Sequence, residues 1–595
     1  MQSELDGKRK RKPNVVKKLK SIFDKIQPTS DKILVIQPGS HYIRMGTADQ
    51  LVCQTYYHCI AHAGNKSDGC AHYYPDDEIE YSQQEILQFV KTHKVRPIPN
   101  SKLNASNFNA ASEKVELEDY NDAFLIQFIE PTKDKKNSFY VGEEARRIAS
   151  LVYDYDNSVP YKLYHPIQNG LLNLKDYFSM EQLKLDLFRI WSFHCKKLIS
   201  NFKDYSVMLI VDDLLDRKTM SLYASVLMDL MEFNGIQILQ SSVCCGLATG
   251  WNTCTVVDIG AQKTSISCVE NGLSLPYSRI YLPVGGDDIT VFMKVLLSKI
   301  NFPDLDLNKP WHYDILEDMK KNFCSFDPLD YKVVQGHVFI RDYKQKTIKY
   351  DFKMMDEYAV APFMLFNDHL FDILEKLNDL KPNIALYSND PELSITVDRI
   401  KHLWNRVFIN KLEDEKIGRK EQYRSRSRAP NLITGLVCLD HFKQDLGKEV
   451  YKEEAESEDE SSSQPENNEM ETTPQTDFVF TEEELVNFFS APLDTAIYLS
   501  MMRASVGQLD KISKFSSNIL LTGGGSKLKH LGPYLMDKMS EKKILVKKAP
   551  RELDSESLAW QGAAETAKII DTWITKPEWD VKREFAINDK AYFVW

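Results

Sequence analysis

Three short segments carry residues of the kind that hold a phosphate. Pro38-Gly39-Ser40-His41 follows the apolar run Ile33-Leu34-Val35-Ile36, and Asp258-Ile259-Gly260-Ala261 closes a second apolar run that begins near Thr253. Thr522-Gly523-Gly524-Gly525-Ser526 follows a third, Ile519-Leu520-Leu521. Glycine lets a backbone turn tightly and approach a ligand closely, and successive N–H groups in such a turn form an anion-binding concavity. Ser40 adds a hydroxyl and Asp258 a carboxylate. One such turn is commonplace, since Ser40 can be an ordinary turn residue and Asp258 a turn cap. Three in this order point to a phosphate, and hence to a nucleotide.

The elements that must position these turns have an α/β texture. Strands are expected at 33–36 and 42–47, 207–211 and 236–239, with helices starting at Ser179 (a capping box with Gln182) and over 220–233. Alternation of this kind implies parallel pairing with helical crossovers. The strand, glycine turn and strand around Gly39 recur around Gly260, where a strand over 253–258 is followed by another over 264–269 that closes at Asn271-Gly272. A duplicated hairpin predicts two similar lobes whose turns face each other across a cleft. Cys244-Cys245 reads as core packing, and Trp573, Trp579, Tyr592, Phe593 and Trp595 as packing of the chain end on the first lobe.

Composition bounds the rest. At 595 residues, 43% hydrophobic and 27% charged, the chain has material for more than one core. No window approaches ~18 consecutive apolar residues, so no membrane span is expected, and the basic N-terminal segment lacks the apolar region of a secretory signal. The ten cysteines contain no C-x-x-C pair and read as reduced, buried thiols. Cys53, His58, Cys59, His62, Cys70 and His72 cluster in sequence without zinc spacing, and no metal site is expected there. The net charge of -11 comes mainly from residues 451–477, with ten acids and one base. The opposite charge collects at Lys8, Arg9, Lys10, Arg11 and Lys12, and again at Arg424, Arg426 and Arg428. These are candidate DNA-phosphate contacts, or else solvated faces or nuclear import signals. Residues 75–137 and 412–477 read as inserted, and the second cannot bury enough apolar surface to order itself.

On these residues the chain resembles the actin superfamily over roughly 31–330 and 480–595. Residues 36–41 are similar to the first phosphate loop, 257–264 to the second and 518–526 to the adenosine loop. Tyr-Val-Gly-Glu-Glu-Ala at 140–145, His-Pro-Ile-Gln-Asn-Gly at 165–170 and Gly-Asp-Asp-Ile-Thr at 286–290 support it. Gln-Lys-Thr-Ser at 262–265, Cys-Val-Glu-Asn-Gly at 268–272 and the terminal Phe593-Val594-Trp595 resemble a nuclear actin-related branch and not conventional actin. The resemblance implies an α/β, actin-like (actin/hexokinase/Hsp70 type) two-lobed fold with duplicated sheets around a nucleotide cleft, plus disordered insertions. The lobes would be 31–250, completed by 556–595, and 251–555, after a basic tail at 1–30.

The resemblance further implies that Gly39, Ser40, His41, Arg44, Asp258, Ile259, Gly260, Ala261, Lys320 and Gly523, Gly524 and Gly525 bind ATP or ADP, with magnesium left open. The departures argue against turnover. Gln37 stands where conventional actin has a carboxylate, His41 and Ala261 where it has Gly and Asp, and Arg44 where it has Lys. Ser241 and Ser265 replace the Gln and His that position water, and Lys321 replaces a Glu beside Lys320. With those groups gone, fast hydrolysis is not expected. The family expectation is a non-catalytic nuclear scaffold in an Ino-eighty type chromatin remodeller. Its partners would be nuclear actin, actin-related protein 4, the helicase-SANT-associated helix of the motor subunit, extranucleosomal DNA and histones. The alternatives are an actin-fold ATPase and a cytoskeletal, filament-forming protein.

Overall fold

The computed structural model describes residues 28–64, 101–118, 120, 122–134, 136–367, 492–505, 509–539, 546–547 and 554–593. The basic clusters at 8–12 and 424–428, Cys70, His72, Trp595 and the stretch 412–477 lie outside them.

Two mixed sheets carry the molecule, and each is built on one of the expected hairpins. In the first, Ile33–Pro38 pairs antiparallel with Tyr42–Thr47 and parallel with Ser206–Val211. The order is Ile574–Thr575, Gly235–Gln240, Ser206–Val211, Ile33–Pro38, Tyr42–Thr47, Gln54–Tyr57. In the second, Thr253–Ile259 pairs antiparallel with Thr264–Glu270 and parallel with Ile519–Thr522. The repeat read from sequence is therefore a repeat of pairing: hairpin first, then a parallel partner delivered by a helical crossover. Ser206–Val211 and Gly235–Gln240 are buried at all six positions, as central parallel strands covered on both faces must be.

The helix Met180–Cys195 begins where Ser179 accepts the Gln182 N–H, and it buries Leu183, Leu187, Ile190 and Trp191 as expected. The helix expected over 220–233 starts earlier, at Arg217, because Asp216 caps the Lys218 and Thr219 amides. It ends at Ser225, and Val226–Leu230 forms a π turn.

The chain end returns to the first sheet. Gly562 of the helix Leu558–Ala567 lies so close to the helix Ser241–Thr249 that a Cβ there would sit 1.9 Å from the Cys244 carbonyl oxygen. Trp560 donates its indole N–H to Val35 O (3.2 Å), and Ile574–Thr575 pairs with Gly235–Gln240. Trp573, Trp579 and Phe593 are buried; Tyr592 is exposed.

One part of the stretch read as a polar, aperiodic insertion is packed on the second lobe. The helix Ser101–Ala110 and strand Lys114–Glu116 dock on the hairpin Val334–Ile340/Ile348–Met354 of the second lobe. What orders this polar segment is hydrogen bonding. Asn109 donates to Ile300 O and Lys353 O and accepts from Lys353 N, and Asp122 accepts from Arg341 and Thr347. Further along, Ile129 and Thr132 bridge to Ile148 and Ser158 beside the first lobe, so the segment spans the two lobes. Among the described residues no helix is long and apolar enough to cross a membrane.

Candidate functional site

Five parallel strands run out toward one place. Ile33–Pro38, Ser206–Val211 and Gly235–Gln240 in the first sheet, and Thr253–Ile259 and Ile519–Thr522 in the second, are followed by Gly39, Asp212, Ser241, Gly260 and Gly523. All five of these residues line a single cavity of about 560 Å³ between the sheets. Ligands in α/β folds collect outside the carboxyl ends of parallel strands, where loops converge without side chains of the sheet in the way. The volume falls within the range of small-molecule sites.

Of the residues named from sequence, Gly39, Ser40, His41, Arg44, Asp258, Gly260, Ala261, Lys320, Gly523, Gly524 and Gly525 line this cavity, as do Gln37 and Ser241. Gln37 and Asp258 thus share the gap predicted between the hairpins. Ile259 does not line it. Strand alternation turns its side chain, fully buried, into the core while Asp258 faces the cavity. Its carbonyl lies against the third loop, where a Cβ at Gly523 (φ 84°) would lie 2.5 Å from Ile259 O and 2.3 Å from Asp258 Oδ1. A Cβ at Gly525 would lie 2.3 Å from Ile259 Cγ2, while Gly524 faces open space. Gly523 and Gly525 thus let the third loop pack directly on the end of the second hairpin's first strand, where any side chain would collide. The loop continues into a short 3-10 turn, Gly524–Lys527, and the next α-helix starts only at Leu531.

The expected cations are already committed. Arg44 pairs with Glu556 (2.9 Å), which also holds Lys527 at 2.7 Å. Lys320 donates to Gly286 O (2.8 Å), Thr290 Oγ1 (2.9 Å) and Glu317 Oε2 (2.5 Å). Lys263, absent from the sequence-based set, forms an ion pair across the cleft with Asp212. Asp258 makes no side-chain hydrogen bond or ion pair among the described residues, and burial raises its carboxyl to about 6. It is the cavity carboxylate free to meet a cation accompanying a nucleotide.

His41 is accommodated in the wall. Its ring lies 3.5 Å from Asp287, stacks on His165 and meets the Tyr42 and Tyr313 rings edge-on. Burial, aided by the nearby Arg146 charge, lowers it to about 3, so it is neutral at physiological pH. Behind the first loop stands His58, which the sequence reading treated as part of an uninformative Cys/His cluster. Its Nε2 accepts the Trp191 indole N–H (3.0 Å), so the proton must sit on Nδ1, which donates to Gly39 O at 2.7 Å. Burial lowers His58 to about 4. Cys53 and Cys59 are buried free thiols and His62 pairs with Asp186.

Sequence reasoning missed Asp212, Lys263, Glu317, Lys527 and Glu556. Asp212 was findable, since it follows a wholly apolar strand at its carboxyl end. Glu556 was not, because its partner Arg44 is 512 residues away.

The fold and cavity define an actin-fold protein. The family model for Actin matches residues 29–361, and the chain belongs to the actin family. Within that family it is similar to probable actin-related protein 8 of Schizosaccharomyces pombe, at 29% identity over 85% of this chain and 73% of that one. It is also similar to actin-related protein 8 of Aedes aegypti (24%; 95% of this chain, 98% of the relative) and of Bos taurus (25%; 96% and 93%). This is the branch to which the strings at 262–265, 268–272 and 593–595 point. Its structure resembles that of human actin-related protein 8 in its ATP-bound state, with a TM-score of 0.68 over 97% of this chain and 99% of that one, at 21% identity.

Proposed function

We propose that this chain is a non-catalytic, nucleotide-holding scaffold subunit of a nuclear Ino-eighty type chromatin-remodelling complex. The observation that carries the reading is a complete cradle without the machinery of turnover. Gly39, Gly260 and the 523–525 turn converge on one cavity, while Gln37, Ala261 and Ser241 stand at the positions of a carboxylate pair and a water-positioning amide. A general base and electrostatic groups each contribute factors of 10² or more to hydrolysis. ATP or ADP would lie with its phosphates between the two hairpin turns and its nucleoside toward Gly523–Gly525, Leu528 and Lys321. When present, magnesium would supply charge compensation beside Asp258. The ATP-bound state of the human relative supports this use of the cavity.

The bound nucleotide would fix the two lobes as one platform. Nuclear actin, actin-related protein 4 and the helicase-SANT-associated helix of the motor subunit are the partners such a platform fits, and the basic clusters at 8–12 and 424–428 suit extranucleosomal DNA. Histones are a further partner for the acidic stretch 451–477. Roles in transcription regulation, DNA repair and recombination would follow from membership of the complex. Affinity purification from nuclei with identification of co-purifying chains tests the reading. Recovery of remodeller subunits supports it, and recovery of cytoskeletal partners alone overturns it.

A further inference from the structure

The turn of the second hairpin places one cation where the two lobes meet. Lys263 lines the cavity and pairs with Asp212, the residue that follows the buried strand Ser206–Val211 of the other sheet. Its stem lies against Gly170, where a Cβ would come within 2.5 Å of Lys263 Cδ, and its amine is 5.4 Å from the Tyr281 ring centroid. The other cavity cations differ. Arg44 and Lys527 hold Glu556, Lys527 also holds Asp554, and Lys320 has three acceptors. Lys321 is 58% exposed, with its amine 3.6 Å from Glu317. Of these five, only Lys263 combines a place in a phosphate-cradling turn with a single carboxylate partner.

We propose that Lys263 reads the number of phosphates on the bound nucleotide: its ammonium leaves Asp212 for the terminal phosphate of a nucleoside triphosphate and stays on Asp212 when a diphosphate is bound. This rests on the nucleotide reading above. A lysine suits the exchange. Its compact ammonium carries three donors on a flexible stem and needs no fixed fork geometry to pass from a carboxylate to a phosphate. Burial pushes the amine down to about 7, so its charge is poorly compensated where it sits, and a phosphate would add what one carboxylate does not. Asp212 keeps a polar neighbour when the amine departs, since Ser265 Oγ donates to it at 3.5 Å.

The experiment is calorimetric titration of the full chain, stripped of nucleotide, with ATP and with ADP at constant magnesium. Wild type should prefer ATP. Lys263→Met should weaken ATP by about 10- to 100-fold, the worth of a charged hydrogen bond, and ADP by less than about threefold. Lys263→Arg should keep part of the preference. Asp212→Asn, titrated at pH 6 so that the amine keeps its proton without its carboxylate, should tighten ATP severalfold without tightening ADP, and this arm stands even if Lys263→Met does not fold. An ATP-to-ADP ratio unchanged in both Lys263→Met and Asp212→Asn overturns the proposal while leaving the nucleotide site intact. Failure of wild type to bind either nucleotide overturns the underlying reading and this proposal with it.

Discussion

His58 offers the sharpest test of how the first loop is held. It bridges the buried Trp191 indole to the Gly39 carbonyl, and the two bonds can be made together only by the neutral, Nδ1-protonated ring, since a protonated ring could not accept from Trp191. Replacing it with alanine leaves a buried donor and a carbonyl unpaired, each costing about 1–3 kcal/mol, so His58→Ala should lose ~2–6 kcal/mol. His58→Gln, whose amide can accept from Trp191 and donate to Gly39, should lose less. The pH dependence is more specific. The folded-state value of about 4 lies below the unfolded value near 6.5. The neutral ring therefore contributes stability that is fully present above pH 6.5 and is lost as pH falls toward 4. Over that window the unfolded chain binds the extra proton, and each such histidine adds a slope of ~1.4 kcal/mol per pH unit. His41 and His194, both lowered to about 3 by burial, add slopes of the same sign. Urea denaturation followed by tryptophan fluorescence between pH 4.5 and 6.5 should show both His58 variants with a slope shallower than wild type by about one proton. Equal slopes would mean a ring already protonated in the folded chain, which cannot accept from Trp191, and would refute the Trp191–His58–Gly39 bridge.

Other expectations follow from the same structure. Gly523→Ala combines a positive-φ position with a clash against the Asp258 carboxylate and the Ile259 backbone, so it should lose ~2 kcal/mol or more and most nucleotide affinity, read by melting and calorimetry. Arg146, buried, donates to Asp314 (2.8 Å) and Pro310 O (3.1 Å) of the second lobe and lies 3.9 Å from the Tyr57 ring. Arg146→Met should lower stability by about 3 kcal/mol, and an unchanged melting temperature would show that this clasp carries no load. Deleting residues 1–25 together with charge reversal at Arg424, Arg426 and Arg428 should weaken a salt-dependent, sequence-independent DNA affinity, measured by fluorescence anisotropy. The pure chain should stay monomeric on adding salt, and sedimentable filaments would contradict the scaffold reading.

The duplicated hairpins were legible because the period of apolar residues and the glycine turns are local signals. So was the core: the runs at 33–36 and 207–211 can only be buried strands. What stayed hidden depends on contacts distant in sequence. The segment 101–134 looks like a loop because its anchors, Asn109 and Asp122, act through hydrogen bonds with no periodic pattern. That Arg44 pairs with Glu556 was not legible, because Glu556 sits in the returning chain end. His58 carried no signal, since a single histidine in a strand looks the same whether it packs or supports a loop. Lys263 was quoted within a motif, yet its partner Asp212 belongs to the other sheet.

A cavity that holds a nucleotide without driving its hydrolysis should keep bound ATP intact. A single-turnover assay with radiolabelled ATP and excess protein addresses it directly. The nucleotide should remain bound as ATP over hours, and release of phosphate faster than by conventional actin would contradict the account.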